Sequence, residues 1–165
     1  GILIIDYGSS DKNMKNTLQS VSGHKYNHVL NNIGESDITH CLNFKIIEKI
    51  VQKLKLQVRG FTNQKNFLKN LGIFERAEII SKNLPFSKKA DIYYRIKRLT
   101  DESAMGKLFK VMFITKKNAK FQIGFKNWLN QKNLKNSKIS RTLFLIKKVE
   151  SQMEYIKVLI VVWVL

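Results

Sequence analysis

Ile2-Leu3-Ile4-Ile5 is an unbroken apolar run that ends at Asp6-Tyr7-Gly8. A short Ile-rich run, apolar on both faces, predicts a buried parallel strand, because helices cover such a strand from both sides. Residues 9–42 show no clean period and carry several Gly and Ser breaks, so they read as a long connection with one short helix around His24–Leu30. From Phe44 the pattern changes. Ile46, Ile47, Ile50, Val51 and Leu54 fall on one helical face, and Lys45, Glu48, Lys49, Gln52 and Lys53 on the other. Leu56, Val58 and Phe61 then alternate with polar residues and predict a strand over Leu56–Phe61. Phe67, Leu68 and Leu71 predict a short helix that stops at Gly72, and helices follow at Phe74–Lys82 and Lys88–Leu99, separated by Pro85. Met105-Gly106 reads as a turn into a last strand that holds Leu108, Phe109, Val111, Met112, Phe113 and Ile114. Strand, helix, strand, helical insertion and final strand are the closing part of a doubly wound α/β sheet rather than a whole one.

With 165 residues and 44% apolar content, the chain is long enough for one domain with a core. Cys41 has no partner in the chain, which excludes an internal disulfide framework and suits a reducing compartment. No segment reaches the roughly 18–20 apolar residues of a membrane helix; the longest run is Val158–Leu165. That apolar end either packs on the body, sticks to membranes or aggregates, and unselected sequence there favours aggregation.

The net charge of +18 points to a polyanion as partner, but its make-up weakens that inference. Of the 30 basic residues 25 are Lys, and 15 Asn and 19 Ile accompany them, a set whose codons are rich in A and T. Arg, the residue of bidentate phosphate and guanine contacts, occurs only five times. Salt-sensitive, non-specific polyanion binding is therefore the expectation. Residues 116–165 carry 11 basic and 2 acidic side chains, against 19 and 10 in residues 1–115. The chain divides on that basis into a folded body, 1–119, and a basic Lys/Asn-rich tail, 120–165.

Much familiar chemistry is missing. The eight glycines never form G-x-G, no Walker sequence is present, and no G-x-S-x-G elbow supports a nucleophilic serine. Cys41, His24, His28 and His40 lack the spacing of a zinc site, so no metal is expected. The candidates that remain are polar residues at predicted strand ends and loops. Asp6 and Tyr7 end the first strand, at the edge where doubly wound sheets bind ligands; the alternative is that Asp6 caps the turn and Tyr7 packs. Glu35 and Asp37 sit in a polar loop, where a carboxylate either positions a substrate by paired hydrogen bonds or caps a helix or turn. Thr39 either orients substrate or caps. Thr62 and Gln64 either line a pocket or cap the helix that carries Phe67. Arg76 and Arg98 read as ion-pairing helix residues.

Four ordered segments are more specific than composition. They are Gly1-Ile2-Leu3-Ile4-Ile5-Asp6-Tyr7-Gly8; Gly34-Glu35-Ser36-Asp37-Ile38-Thr39 with Phe44; Thr62-Asn63-Gln64 with Phe67-Leu68, Leu71-Gly72-Ile73 and Glu75-Arg76; and Arg98-Leu99-Thr100 with Met105-Gly106-Lys107-Leu108-Phe109-Lys110-Val111. At this spacing, over about residues 1–115, they resemble the C-terminal half of the MidA-type methyltransferases. That is the class I S-adenosylmethionine-dependent family of the mitochondrial complex I assembly arginine methyltransferase. His24-Lys25-Tyr26 with Leu30 fits the same pattern, and Gly124-Phe125 is similar to the family's ending.

The resemblance implies a Rossmann-like α/β sheet with a helical insertion, and methyl transfer from S-adenosylmethionine to a protein side chain, an arginine in the mitochondrial member. With that chemistry, the candidate substrate contacts are Asp6, Tyr7, Glu35, Asp37, Thr39 and Gln64, chosen by their strand-end and loop positions. The family's Gly-rich cofactor turn belongs to the N-terminal half, before the point where the match begins. The expectation is therefore a substrate-side fragment, inactive alone, with an upstream half as its missing partner. The basic tail departs from the family's Pro/Gly ending and reads as frameshift or read-through sequence. The implied location is cytoplasmic in a bacterium with an AT-rich genome, or the mitochondrial matrix in a eukaryote. The rival readings are a basic protein that binds nucleic acid or anionic membrane through the tail, and the remnant of a decayed gene. Loss of polyanion affinity on deleting residues 120–165 would mark the first of these rivals. Purified alone, the 165 residues are predicted to show no saturable S-adenosylmethionine uptake in equilibrium dialysis; appreciable uptake would overturn that expectation.

Overall fold

In the computed structural model, residues 1–11, 14–117, 124–125 and 160–161 are described. Apart from 124–125 and 160–161, the basic tail lies outside them.

The first apolar run forms β1 (Ile2–Ser9), and the last forms β7 (Phe109–Thr115). They pair directly and antiparallel, with Leu3 opposite Phe113 and Asp6 opposite Lys110. This corrects the expectation of a purely parallel first strand: a β1 apolar on both faces also suits a central antiparallel strand that is covered on both sides. Parallel partners take the other edge of β1. There β5 (Leu42–Asn43) pairs at Gly8 and Ser9, and β8 (Ile160–Val161) pairs at Leu3 and Ile4. The C-terminal apolar segment thus places at least these two residues on the body. Beyond β7 lies β6 (Gln57–Asn63), also antiparallel to β7, with a register shift between Val58 and Gly60. The sheet order is β5-β1-β7-β6.

Between β5 and β6 runs α1 (Phe44–Lys53). Asn43 starts it, its side-chain oxygen accepting from the backbone N–H groups of Lys45 and Ile46. It ends in a Schellman motif: Leu56 N–H reaches Val51 O and Lys55 N–H reaches Gln52 O, with Lys55 left-handed at φ 56°. The helix lies where the period predicts, but only one edge of the predicted face is buried, together with Phe44. Phe44 and Val51 are buried, with Ile47 beside them, while Ile46, Ile50 and Leu54 remain exposed. Phe44 and Val51 pack on Met112 and Ile114 of β7, and Ile4, Leu42, Leu56 and Val58 close the cluster.

The helical insertion between β6 and β7 holds α2 (Gln64–Asn70), α3 (Ile73–Ser81), α4 (Phe86–Thr100) and α5 (Met105–Leu108). The last replaces the turn expected at Met105-Gly106. The cap of α2 is Asn63, whose oxygen accepts from Asn66 N–H at 2.8 Å; neither Thr62 nor Gln64 fills that role. Arg95 pairs with Asp91 at 3.0 Å one turn away on α4. Behind α2, Phe67 meets Phe125 with ring centroids 5.2 Å apart, and Asn70 donates to the Gly124 carbonyl.

The stretch read as a long connection is a small sheet of its own. Strand β2 (Gln19–Ser22) is flanked by β3 (Lys25–Asn27) and β4 (Asp37–Thr39), both antiparallel to it. No helix forms at His24–Leu30. Gly23 and His24 instead take positive φ of 55° and 61° between the paired Ser22 and Lys25, the geometry of a two-residue type I′ hairpin.

Candidate functional site at the carboxyl end of β1

Two segments far apart in sequence meet where β1 ends. The Asp37–Thr39 strand runs on through His40 and Cys41 into β5, which lies parallel along Gly8 and Ser9. The approach requires glycine, because a Cβ on Gly8 would overlap the backbone carbonyl oxygen of Leu42. Cys41 N–H donates to Thr17 Oγ1 at 3.0 Å and fixes the crossing from the other side. Asn43, at the end of the same strap, caps α1.

Asp6 is partly buried beside this junction, and its Oδ1 accepts from Tyr7 N–H at 2.8 Å. Burial pushes its carboxyl above the ordinary aspartate value, while the Tyr7 bond and the charge of His40 pull it back. Tyr7 packs edge-on against Phe109, with centroids 5.7 Å apart. Across the sheet, Asp6, Lys110 and Asn63 occupy one row. Lys110 donates to the Lys107 carbonyl, and desolvation holds its ammonium below the usual lysine value.

Asp37 is a strand residue, not the helix cap or turn residue that was the alternative to a site role. Register places it opposite Val21, Val21 opposite Tyr26, and Thr39 opposite Gln19. Alternation along a strand therefore puts Asp37, Thr39, Gln19 and Tyr26 on one face of the small sheet. Tyr26 is exposed there. Glu35 lies in the exposed turn before β4, its N–H bonded to Asn32 O. Gln64 is buried, and its amide donates to Leu99 O at 2.9 Å, tying α2 to α4. The structure thus links Asp6 and Tyr7 to Asp37 and Thr39 through one strap, holds Glu35 at the arm's turn and commits Gln64 to the insertion. Sequence reasoning missed His40 as a neighbour of Asp6, and Tyr26 as a face-mate of Asp37. The first was considered only as a metal ligand, and the second depends on a hairpin that was not expected.

Next to the junction, a slot of about 380 Å³ opens between α1 and the sheet, lined by Ser10, Phe44, Lys45, Glu48, Val58, Phe61 and Met112. Lys45 and Glu48 pair at 2.5 Å on its polar side. Charge is distributed in keeping with this. Residues 1–42 hold four acidic and three basic side chains, and the remainder holds eight and 27. Asp37 and Tyr26 stand on the two outer strands of the small sheet with Val21 between them; an exposed carboxylate such as Asp37 can hold a guanidinium by paired hydrogen bonds. Among the described residues no group of three or more His, Cys, Asp or Glu is placed to hold a metal, and no helix is long and apolar enough to cross a membrane.

A family model described as "Putative S-adenosyl-L-methionine-dependent methyltransferase" matches residues 1–62, which include both segments of the junction. Over these residues the chain is similar to the S-adenosylmethionine-dependent methyltransferases. Among curated proteins, "Protein arginine methyltransferase NDUFAF7, mitochondrial" of Danio rerio is 29% identical over 108 residues, covering 66% of this chain and 25% of the relative. Its Xenopus tropicalis counterpart is 29% identical over 109 residues, again 66% and 25%. The chain therefore spans about a quarter of the length of these relatives. Two solved Burkholderia thailandensis structures share its fold. One has TM-score 0.61 at 24% identity, covering 75% of this chain and 33% of that one. The other, bound to S-adenosyl-homocysteine, has TM-score 0.59 at 23% identity, covering 75% and 32%. At such identities the likeness speaks for the fold, a partial class I methyltransferase sheet with a helical insertion.

The family uses S-adenosylmethionine. The glycine at the end of β1 packs against the Leu42 backbone, so that strand end offers no open glycine cradle.

The Asp6 environment makes a titration prediction. A folded-state value raised above the unfolded one favours folding at low pH, and that contribution is lost as pH climbs from the ordinary aspartate value through the raised one. Asp6→Asn keeps the acceptor for Tyr7 N–H and is expected to flatten the fall in stability across that window, read from urea midpoints at stepped pH. His40→Ala removes a charge that pulls the Asp6 value down, so the Asp6 carboxyl midpoint in NMR should move further up. A downward move would show that His40 does not face Asp6.

Proposed function

We propose that this chain is the substrate-side part of an S-adenosylmethionine-dependent protein methyltransferase whose acceptor is an arginine. In this reading it works with a cofactor-holding segment that is not among these 165 residues, and it is inactive without that segment. The observation that carries the reading is the strap at Gly8. It joins the Asp6-Tyr7 end of β1 to the Asp37-Thr39 strand, and both parts fall within the family match.

The division of labour follows from the chemistry. Methyl transfer to a guanidinium needs the acceptor nitrogen held in line, and its cation oriented by carboxylates rather than left in water. Asp37 accepts the guanidinium N–H groups, with Thr39 bounding the same face. Asp6 completes the acidic side at the sheet edge, and Tyr7 fixes that edge through Phe109. Glu35 steers the cationic segment towards the arm. The named relatives are arginine methyltransferases of mitochondria, which supports an arginine acceptor, a link to respiratory complex I assembly and a mitochondrial location in a eukaryote. In a bacterium the same reading is cytoplasmic. The basic residues of 120–165 support a second activity, salt-sensitive polyanion binding, on charge alone.

The test uses the polypeptide as its cell makes it, captured by an antibody against the body and supplied with methyl-labelled S-adenosylmethionine. Label is expected on arginine of a co-captured protein. Asp37→Asn should lower it by about 10- to 100-fold at equal capture, the worth of a charge-assisted hydrogen bond. Label on lysine or nucleic acid, or an Asp37→Asn variant as active as the parent, would contradict the proposal.

A further inference from the structure

Helix α1 has a second apolar flank that the core does not use. Phe44 and Val51 pack onto the sheet. On a helical period Lys45 and Glu48 lie to one side of them, where they line the slot with Val58 and Phe61 of β6. Ile46, Ile50 and Leu54 lie to the other side, turned away from β6 and towards β1 and β5. They are 54%, 49% and 64% exposed. Ile2 shares the α1 side of the sheet with Ile4, two residues on, and is itself 40% exposed.

The strand edge beside that flank is open as well. One edge of β1 pairs with β7 from Ile2 to Tyr7. On the other edge β5 reaches only Gly8 and Ser9, and among the described residues the remainder is met only by Ile160 and Val161, at Leu3 and Ile4. Ile2–Ile5 carries no charge or proline that would deter a further strand. An open parallel edge next to an uncovered apolar helix flank is the seat of one more strand in an α/β layer, which needs backbone partners at its side and an apolar cover on its face.

We propose that the C-terminal apolar run of this chain, residues 158–165, is that strand and docks under the α1 flank. Its Ile160 and Val161 already pair in parallel with Leu3 and Ile4, so the seat and its occupant are continuous with an interface that exists. The run Val158-Leu159-Ile160-Val161-Val162-Trp163-Val164-Leu165 is apolar at every position and rich in β-branched residues, the composition of a strand covered on both faces. Residues 126–157, which separate it from Phe125, give a reach of roughly 100 Å, so the docking closes within one chain. The spacing agrees. Register sets residue 161 beside Ile4, so a continuing strand brings Leu159, Val161 and Trp163 to the α1 side at intervals of roughly 7 Å. Leu54, Ile50 and Ile46 follow one another at intervals of roughly 6 Å along the helix. Helix α1 runs from the Ser9 end of β1 back to its Ile2 end, which sets Leu159 to Leu54, Val161 to Ile50 and Trp163 to Ile46. A strand edge holds one neighbour at a time, so any polypeptide that extended the sheet beyond β1 would have to displace this run. The proposal does not depend on the methyl-transfer reading.

The test places the photo-crosslinker p-benzoyl-phenylalanine at position 163 of the full 165-residue chain, in place of Trp163, and maps the products by mass spectrometry. A mixture of unlabelled and heavy-isotope chains separates crosslinks within a chain from those between chains. Crosslinks within one chain to residues 46–54 are expected. Ile50→Lys should cut their yield tenfold or more, and so should Ile160→Pro, which removes a strand N–H. Phe86→Lys, on α4, should leave the yield unchanged; Ile50 and Phe86 are both exposed, so the fold should survive either change. Crosslinks between chains would mean that a second copy takes the seat, and they overturn the proposal. So does the absence of crosslinks to α1, a yield that Ile50→Lys does not lower, or an equal loss with Phe86→Lys, which marks general apolar adhesion.

Discussion

Among the glycines of the described residues, the tightest approach to another stretch of backbone is the one between Gly8 and Leu42. A side chain on residue 8 would overlap a carbonyl oxygen that belongs to the neighbouring strand and cannot swing away. With glycine there, β5 lies against the end of β1, and three further features follow. The preceding strand is drawn to the carboxyl edge of the sheet, His40 comes within electrostatic reach of Asp6, and Asn43 is positioned to cap α1. Helix α1 then lays Phe44 and Val51 over Met112 and Ile114, so the core and the candidate site share one anchor.

The same contact explains the division between scaffold and chemistry. The sheet is a rigid platform, since Val111–Thr115 are all buried at its centre. The arm built by β2, β3 and β4 is thin and largely polar, and it hangs from the platform through the strap. Such an arrangement leaves Asp37 and Tyr26 exposed on a small sheet that takes few residues from the core.

The order of the main elements was legible in the sequence because each rests on local pattern. The apolar run from Phe109 to Ile114 is the central strand its pattern predicts, although Leu108, expected in it, closes α5 instead, and Pro85 marks the break between α3 and α4. The buried face of α1 was not legible. Ile46, Ile50 and Leu54 make as good a stripe as Phe44, Ile47 and Val51, and only the position of the sheet decides between them. The small sheet was missed because its strands are three or four residues long and its tight turn uses His24 at positive φ, a conformation that the residue type does not advertise. Of the candidate residues, Asp6 and Tyr7 were placed by the strand end alone. Asp37 and Thr39 could be named but not oriented, and Gln64 gave no sign that its amide would be spent on Leu99.

The dependence on Gly8 is the claim that most needs a direct measurement. Hydrogen–deuterium exchange of the chain with Gly8→Ala, compared with the parent, reads it residue by residue. Loss of amide protection over residues 37–43, with β1 up to Ile5 and Val111–Thr115 still protected, is what the strap predicts. Unchanged protection over residues 37–43 would contradict it, and would mean that the Asp37 strand is held at the sheet by something other than this contact.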